Sequence, residues 1–130
     1  MFKETHPIIG TQDILRAIDF YTRALGFELI FRDAGDPPNY VVFRRDAVVL
    51  HMQFQHAHEM STIRLRFLVE DPDALFEELQ RRGVEGTSAR PRNTPWGTRE
   101  LGLHDLDRNA LAFYRQLTPS EKAESAPSES

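Results

Sequence analysis

The chain has 130 residues and a mass of 15.0 kDa, which is enough for one domain with a substantial core. Its formal net charge is −4 and the sequence has no basic stripe that could neutralise phosphates, which argues against nucleic-acid binding. Cysteine is absent, which excludes disulfides, thiol nucleophiles and thiolate metal sites. No apolar run reaches the length of a membrane span and the first residues do not form a signal peptide, so we expect a cytoplasmic protein.

Two amphipathic helices are predicted, and each ends at a glycine. Residues 13–27 carry apolar side chains at spacings of three and four, with Gly26 near the end of the run. Residues 70–84 show the same pattern with Gly83, and glycine favours the left-handed conformation that ends a helix. The candidate N-caps are Thr11 or Asp13 for the first helix and Asp71 for the second.

Strand-like runs stand before and after each helix. They are residues 7–10, 27–32, 40–44 and 47–54 in the first half, and 63–69, 87–92, 98–104 and 109–115 in the second. The order of one strand, one helix and three strands therefore occurs twice. It predicts a single domain over residues 1–116, with one module at about 5–55 and another at about 62–116. Two such halves facing each other would make a cleft, where the function is to be sought.

The C-terminal segment differs in composition from the rest. Residues 117–130 are rich in Ser, Glu, Ala and Pro and have no apolar periodicity. Such a segment cannot bury enough apolar surface to offset the entropy of ordering its backbone. We therefore expect a disordered tail.

Two segments resemble a known family. Residues 6–22 (His-Pro-Ile-Ile-Gly-Thr-Gln-Asp-Ile-Leu-Arg-Ala-Ile-Asp-Phe-Tyr-Thr) resemble the first strand and helix of the vicinal oxygen chelate superfamily, which includes glyoxalase I, extradiol dioxygenases and bleomycin-resistance proteins. Residues 95–114, which begin Pro-Trp-Gly-Thr-Arg-Glu, resemble the bleomycin-resistance branch. There a Pro-Trp-Gly-x-x-Glu strand leads to an Asp-Pro-x-Gly-Asn turn, from which this chain departs at Leu106 and Arg108. The resemblance covers roughly residues 5–116.

The resemblance implies a fold and a function. The fold is α+β, with two repeated βαβββ modules forming a curved mixed sheet around a cleft and helices on the outer face. In the bleomycin-resistance branch two chains pair so that ligand grooves form at the subunit interface, so a homodimer is expected here. The implied function is non-catalytic sequestration of a small molecule in that cleft, with antibiotic resistance as one consequence.

The enzymes of the superfamily bind one divalent metal through two ligands from each half, and this chain keeps only part of that pattern. His6 matches the first ligand position, but Arg64 and Ala112 stand at two others. Arginine is a permanent cation without a lone pair to donate, so we expect no metal and no other cofactor. The alternative is a divalent metal on His6 and His51, completed by Glu100 or water. The function would then be that of a metal-dependent lyase, isomerase or dioxygenase.

Strand alternation and the resemblance together select a set of candidate ligand-binding residues. They are His6, Ile8, Phe43, Val49, His51, Gln53, Arg64, Arg66, Trp96, Glu100, Ala112 and Tyr114. Trp96 either stacks on a planar ligand or fills the core beneath its turn. Arg64 and Arg66 either bind a carboxylate or phosphate or are paired by a carboxylate such as Glu100.

The charge of the predicted cleft argues against bleomycin itself as the ligand. Bleomycin is cationic, whereas the predicted cleft carries Arg64 and Arg66 at its centre. A third function is also open, in which the chain is a partner-binding or regulatory subunit and large side chains pack the cleft shut.

Overall fold

The computed structural model describes residues 1–84 and 90–125, which fall into two compact units. Unit 1 comprises Met1–Ile63 together with Asp105–Asn109, and unit 2 comprises Arg64–His104 and the segment from Ala110 onward. Each unit holds a four-stranded mixed sheet and an amphipathic helix. The α+β class and the two βαβββ modules are therefore confirmed, with two four-stranded sheets in place of one curved sheet.

Unit 1 contains four strands and one long helical segment. Its elements are β1 (Ile8–Thr11), α1 (Ile14–Asp19), β2 (Glu28–Arg32), β3 (Tyr40–Arg45) and β4 (Val48–Phe54), and α1 continues as a π-helical turn over Phe20–Ala24. The strand order is β1-β4-β3-β2, in which β1 runs parallel to β4 and the other pairs are antiparallel. Asp13 caps α1 by accepting from the backbone N–H of Arg16, and Gly26 has a φ of 73°.

The core of unit 1 is aromatic. The Tyr21 ring stacks on Phe43 of β3 with 5.3 Å between centroids, and Phe27 contacts both rings. The Tyr21 hydroxyl donates to Asp105 at 2.6 Å, within the turn segment that belongs to this unit. Packing of Tyr21 and Phe27 against Phe43 of the sheet stabilises this helical segment, because an isolated helix shorter than about 12–15 residues is marginal in water.

Unit 2 repeats this arrangement. Its elements are β5 (Arg64–Leu68), α2 (Pro72–Arg81), β6 (Arg92–Asn93), β7 (Thr98–His104), β8 (Ala110–Gln116) and α3 (Pro119–Ser125). The strand order is β5-β8-β7-β6, with β5 parallel to β8. Asp71 caps α2 by accepting from two backbone N–H groups, and Gly83 has a φ of 78°. The predicted strand at 87–92 lies mostly outside the described residues.

Alternation in unit 2 separates a packed face from an open one. Leu101 and Leu103 of β7 and Leu111 and Phe113 of β8 are buried, and α2 packs against these two strands. The residues between them, Gly102 and the alanines of β8, point the other way. Among the described residues of unit 2, a helix covers one side of the sheet and no helix or strand of the same unit covers the other.

The C-terminal segment corrects one expectation, because Pro119–Ser125 forms helix α3 where the composition predicts disorder. Thr118 and Glu121 form a capping box: the Glu121 carboxylate accepts from the Thr118 N–H at 2.9 Å, and the Glu121 N–H donates to the Thr118 hydroxyl at 3.1 Å. Glu121 also pairs with Arg115 of β8 at 2.8 Å. Residues 126–130 lie outside the described part of the chain. No helix among the described residues has the length and apolar character needed to cross a membrane.

Candidate ligand-binding groove

A groove of about 470 Å³ lies on the open face of the unit 2 sheet. The strand register sets Gly102 of β7 beside Ala112 of β8, and Ala112 beside Arg66 of β5. Because three neighbouring positions on this face are glycine or alanine, the centre of the sheet is a floor of small residues. The groove is lined by Arg64, Leu65, Arg66, Arg90, Arg92, Trp96, Glu100, Gly102, Leu103, His104, Ala110, Leu111 and Ala112.

Glu100 is the one carboxylate among the described residues that line the groove, and three donors hold it. Its Oε2 accepts from Arg66 at 2.8 Å, from the Trp96 indole N–H at 2.8 Å and from the Thr98 hydroxyl. Burial alone would raise the pKa of Glu100, but these hydrogen bonds outweigh it and hold the pKa below its ordinary value. Glu100 is therefore an ionised carboxylate whose acceptor capacity is largely used within its own unit.

Arg66 is paired in two ways. Besides its bond to Glu100, its guanidinium carbon lies 4.2 Å from the centre of the Tyr114 ring. The alternative in which Glu100 pairs a groove arginine is therefore correct for Arg66.

The other three arginines of the groove have no carboxylate partner in the described part of the chain. They are Arg64, Arg90 and Arg92. Arg90 lies 5.4 Å from the Phe76 ring centre, and Arg92 lies 5.8 Å from the Trp96 ring centre. The described lining of the groove therefore carries four guanidinium groups and one carboxylate, although the chain as a whole is acidic.

Trp96 stands at the rim. It lies in the turn before β7, and 60% of its surface is exposed. It is therefore not a core residue beneath its turn, and its ring face is accessible to a ligand.

The open face of the unit 1 sheet carries the two histidines predicted as an alternative metal pair. The rings of His6 and His51 are stacked, with 4.8 Å between centroids and 11° between planes. His6 Nε2 lies 2.7 Å from the Glu4 carboxylate, and His51 Nδ1 lies 2.6 Å from the Tyr40 hydroxyl. Partial burial and then the nearby charge of His6 lower the pKa of His51.

The residues present do not fit the divalent metal of the family enzymes. The side chains of Arg64 and Ala112 offer no lone pair at two of the positions that the resemblance assigns to metal ligands. Imidazole lone pairs lie in the ring plane, and a metal about 2.1 Å from each nitrogen would have to lie near both planes, which stacked rings of His6 and His51 prevent. Within residues 1–84 and 90–125, no three His, Asp or Glu side chains gather into a metal-binding cluster.

The structure places the other candidate residues on two faces. Ile8, Val49, His51 and Gln53 are on the open face of the unit 1 sheet, and Arg64, Arg66, Trp96, Glu100, Ala112 and Tyr114 are on that of unit 2. Phe43 was predicted to bind the ligand, and the structure corrects this prediction. It pairs with Leu50 in the strand register, it is fully buried, and its neighbour Val42 takes the open position opposite His51. Phe43 is a core residue and cannot contact a ligand.

Several residues that line the groove were not identified from the sequence. Gly102 and His104 follow Glu100 at intervals of two, so alternation along β7 alone places them on the same face. Arg92 pairs with Glu100 through β6, a strand of two residues that no periodicity reveals. Arg90 comes just before that strand and carries no signal of its own.

Comparison with known proteins agrees with this architecture. The family model described as the Glyoxalase/Bleomycin resistance protein/Dioxygenase superfamily matches residues 5–113. A bleomycin resistance protein of Geobacillus stearothermophilus is 22% identical over 130 aligned positions, which cover 85% of this chain and 95% of that protein.

Solved structures show the same fold. The bleomycin-binding protein of Streptomyces verticillus, solved with copper(II)-bleomycin, is 28% identical with a TM-score of 0.70, covering 87% of this chain and 95% of that one. A glyoxalase-related enzyme from Clostridium phytofermentans has a TM-score of 0.75 at 19% identity, covering 90% and 97%. The chain therefore belongs to the glyoxalase/bleomycin resistance protein/dioxygenase superfamily.

Proposed function

We propose that this protein captures a small organic molecule in the groove of unit 2, without a metal ion and without chemical conversion. The observation that carries the proposal is the floor of Gly102, Ala110 and Ala112, which leaves about 470 Å³ open beneath an exposed tryptophan. A groove of this size suits a small ligand. A vestigial cleft would instead be filled by large side chains.

The groups in the groove suit binding better than catalysis. Guanidinium groups do not exchange protons near neutral pH, and Glu100 is held ionised by its three donors. His104 also lines the groove, but no hydrogen bond within the described residues orients its ring. A general base needs such an orienting partner, and the described lining of the groove contains no Ser, Thr or Cys to act as a nucleophile.

The relatives support capture as a function. Proteins named for bleomycin resistance or bleomycin binding share the fold over most of this chain. Sequestration explains how such a domain acts on a drug without altering it. Drug resistance by capture is accordingly one role that we propose for this chain.

We further propose that a second copy of the chain covers the groove. The open face of the unit 1 sheet exposes Ile8 and Phe31, which are 47% and 51% exposed. Such apolar side chains favour association. A homodimer that sets this face over the groove of its partner would enclose the ligand. Sedimentation equilibrium is expected to give twice the mass of the chain, and Phe31→Asp is expected to give the monomer.

The test of capture is a variant that fills the groove. A Cβ added at Gly102 meets only the Leu111 carbonyl oxygen, at 3.9 Å, so Gly102→Leu fits the backbone and projects into the groove. Ligands found by screening through Trp96 fluorescence in EDTA are expected to lose affinity for Gly102→Leu. Arg81→Gln, a change on the exposed surface of α2 outside the groove lining, is expected to leave them bound.

Two results would overturn the proposal. One is undiminished binding to Gly102→Leu that has kept its melting temperature. The other is retention of about one divalent ion per chain after metal loading and desalting, abolished by His6→Ala, which would support the metal-dependent lyase, isomerase or dioxygenase instead.

A further inference from the structure

We infer that the groove selects anions: its ligand carries a carboxylate, sulfonate or phosphate on a planar aromatic body. This inference rests on the proposed capture function, because it names the chemical class of the molecule captured. It concerns the charge and shape that the described side chains of unit 2 recognise.

The described lining of the groove carries an excess of positive charge. Of its four arginines, only Arg66 is neutralised by a carboxylate within the described residues. Arg64 and Arg92 carry full charges at the two sides of the floor, since guanidinium stays protonated at any physiological pH. The chain has a net charge of −4, so this local excess is not a consequence of a basic surface.

The guanidinium N–H groups in the groove are donors that match an anionic group. A guanidinium presents parallel N–H groups that match the two oxygens of a carboxylate, or two of those on a phosphate or sulfonate. Arg64 stands beside Ala110 in the strand register, so no bulky side chain at that floor position blocks its approach to a ligand. An anionic group on the floor would satisfy donors that have no carboxylate partner among the described residues.

The rim of the groove presents an aromatic ring close to a cation. The Trp96 ring is exposed, its N–H is fixed by Glu100, and the Arg92 guanidinium lies 5.8 Å from its centre. A flat ring that stacks on Trp96 would therefore place a substituent within reach of a cation. The same guanidinium groups would repel a cationic ligand, and Glu100, the carboxylate of the described lining, already accepts hydrogen bonds from Arg66 and Thr98.

Three probes of one shape test this inference: 2-naphthoate, 2-naphthamide and 2-naphthylmethylammonium, titrated by calorimetry into the full chain in EDTA at low salt. The naphthoate is expected to bind about tenfold more tightly than the amide, with the ammonium weakest. Arg64→Gln and Arg92→Gln are each expected to weaken the naphthoate about tenfold while leaving the amide within about twofold. Added salt is expected to weaken the naphthoate alone.

The controls separate this inference from the capture function. Arg81→Gln removes an exposed arginine of α2 outside the groove lining and is expected to leave all three affinities unchanged. Equal affinities for the three probes, lost in Gly102→Leu, would overturn anion selection and leave capture standing. Failure of all three probes to bind would overturn capture, and anion selection with it.

Discussion

The indole N–H of Trp96 donates a 2.8 Å hydrogen bond to the carboxylate of Glu100, which also accepts from Arg66 at 2.8 Å. One acidic residue therefore fixes the aromatic rim of the groove and neutralises one of its arginines. The position of the ring and the charge of the groove are coupled through this carboxylate.

Glu100→Gln is expected to strengthen the binding of 2-naphthoate about fivefold, because it removes a negative charge and leaves Arg66 available to the ligand. The size of the effect follows from the repulsion between two charges several ångströms apart, which is about 1 kcal/mol. Trp96 emission is expected to shift, because the amide is a weaker acceptor for the indole N–H. Calorimetry and fluorescence measure both effects, with 2-naphthamide as the control. A loss of naphthoate affinity would contradict the charge argument.

Tyr21→Phe is expected to lower the free energy of unfolding by about 2 kcal/mol, since it removes a donor from a buried carboxylate. The lost bond is the 2.6 Å contact from the Tyr21 hydroxyl to Asp105. Urea denaturation measures the change. The matched control is Tyr40→Phe, which removes a hydroxyl from a partly exposed contact with His51 and is expected to cost less than about 1 kcal/mol. Equal effects from the two variants would contradict the importance of burial.

Arg108→Gly is expected to stabilise the chain by about 0.5–1 kcal/mol. Arg108 has a φ of 69°, where a side chain costs about 1–2 kcal/mol, and the greater freedom of glycine in the unfolded chain offsets part of the gain. Thermal unfolding measures the change. Asp46, with a φ of 51°, is the comparison, since Asp tolerates this conformation and Asp46→Gly is expected to give a smaller gain. A lower melting temperature for Arg108→Gly would contradict the prediction.

Glu121 provides a pH-dependent prediction. Hydrogen bonds from Arg115 and from the Thr118 backbone lower its pKa to about 2, so it stays ionised at pH 4. Because the folded pKa is depressed, its contribution to α3 is present above the ordinary pKa and is lost as the pH falls through about 2. Carboxyl NMR shifts measure the titration. Arg115→Gln is expected to raise the pKa, and a wild-type midpoint near 4.5 would contradict the pairing.

Sequence patterns predicted the fold well because its local signals are strong. The helices follow from apolar spacing, the cap at Asp71 and the terminating glycines at Gly26 and Gly83, and all of these are present in the structure. Helix α3 was missed although Thr118 and Glu121 form a capping box, because an amphipathic pattern does not accompany the cap.

The groove was only partly predictable. Alternation along β8 located Ala112, and the resemblance around Trp96 pointed to Glu100. Phe43 was misplaced because it lies one residue out of phase with Val42 on the open face. Arg92 reaches the groove through a two-residue strand, which leaves no periodic trace in the sequence. Whether an arginine is paired depends on contacts across strands, and no local pattern encodes those contacts.

The most direct test of capture is a 15N-HSQC titration of the full chain with 2-naphthoate in EDTA. The predicted result is a set of amide shifts concentrated in Arg64–Leu68, Thr98–His104 and Ala110–Gln116, together with the Trp96 indole, and abolished by Gly102→Leu. Shifts confined to the β1 and β4 strands around His6 and His51, or binding that appears only after a divalent metal is added, would contradict metal-free capture in the unit 2 groove.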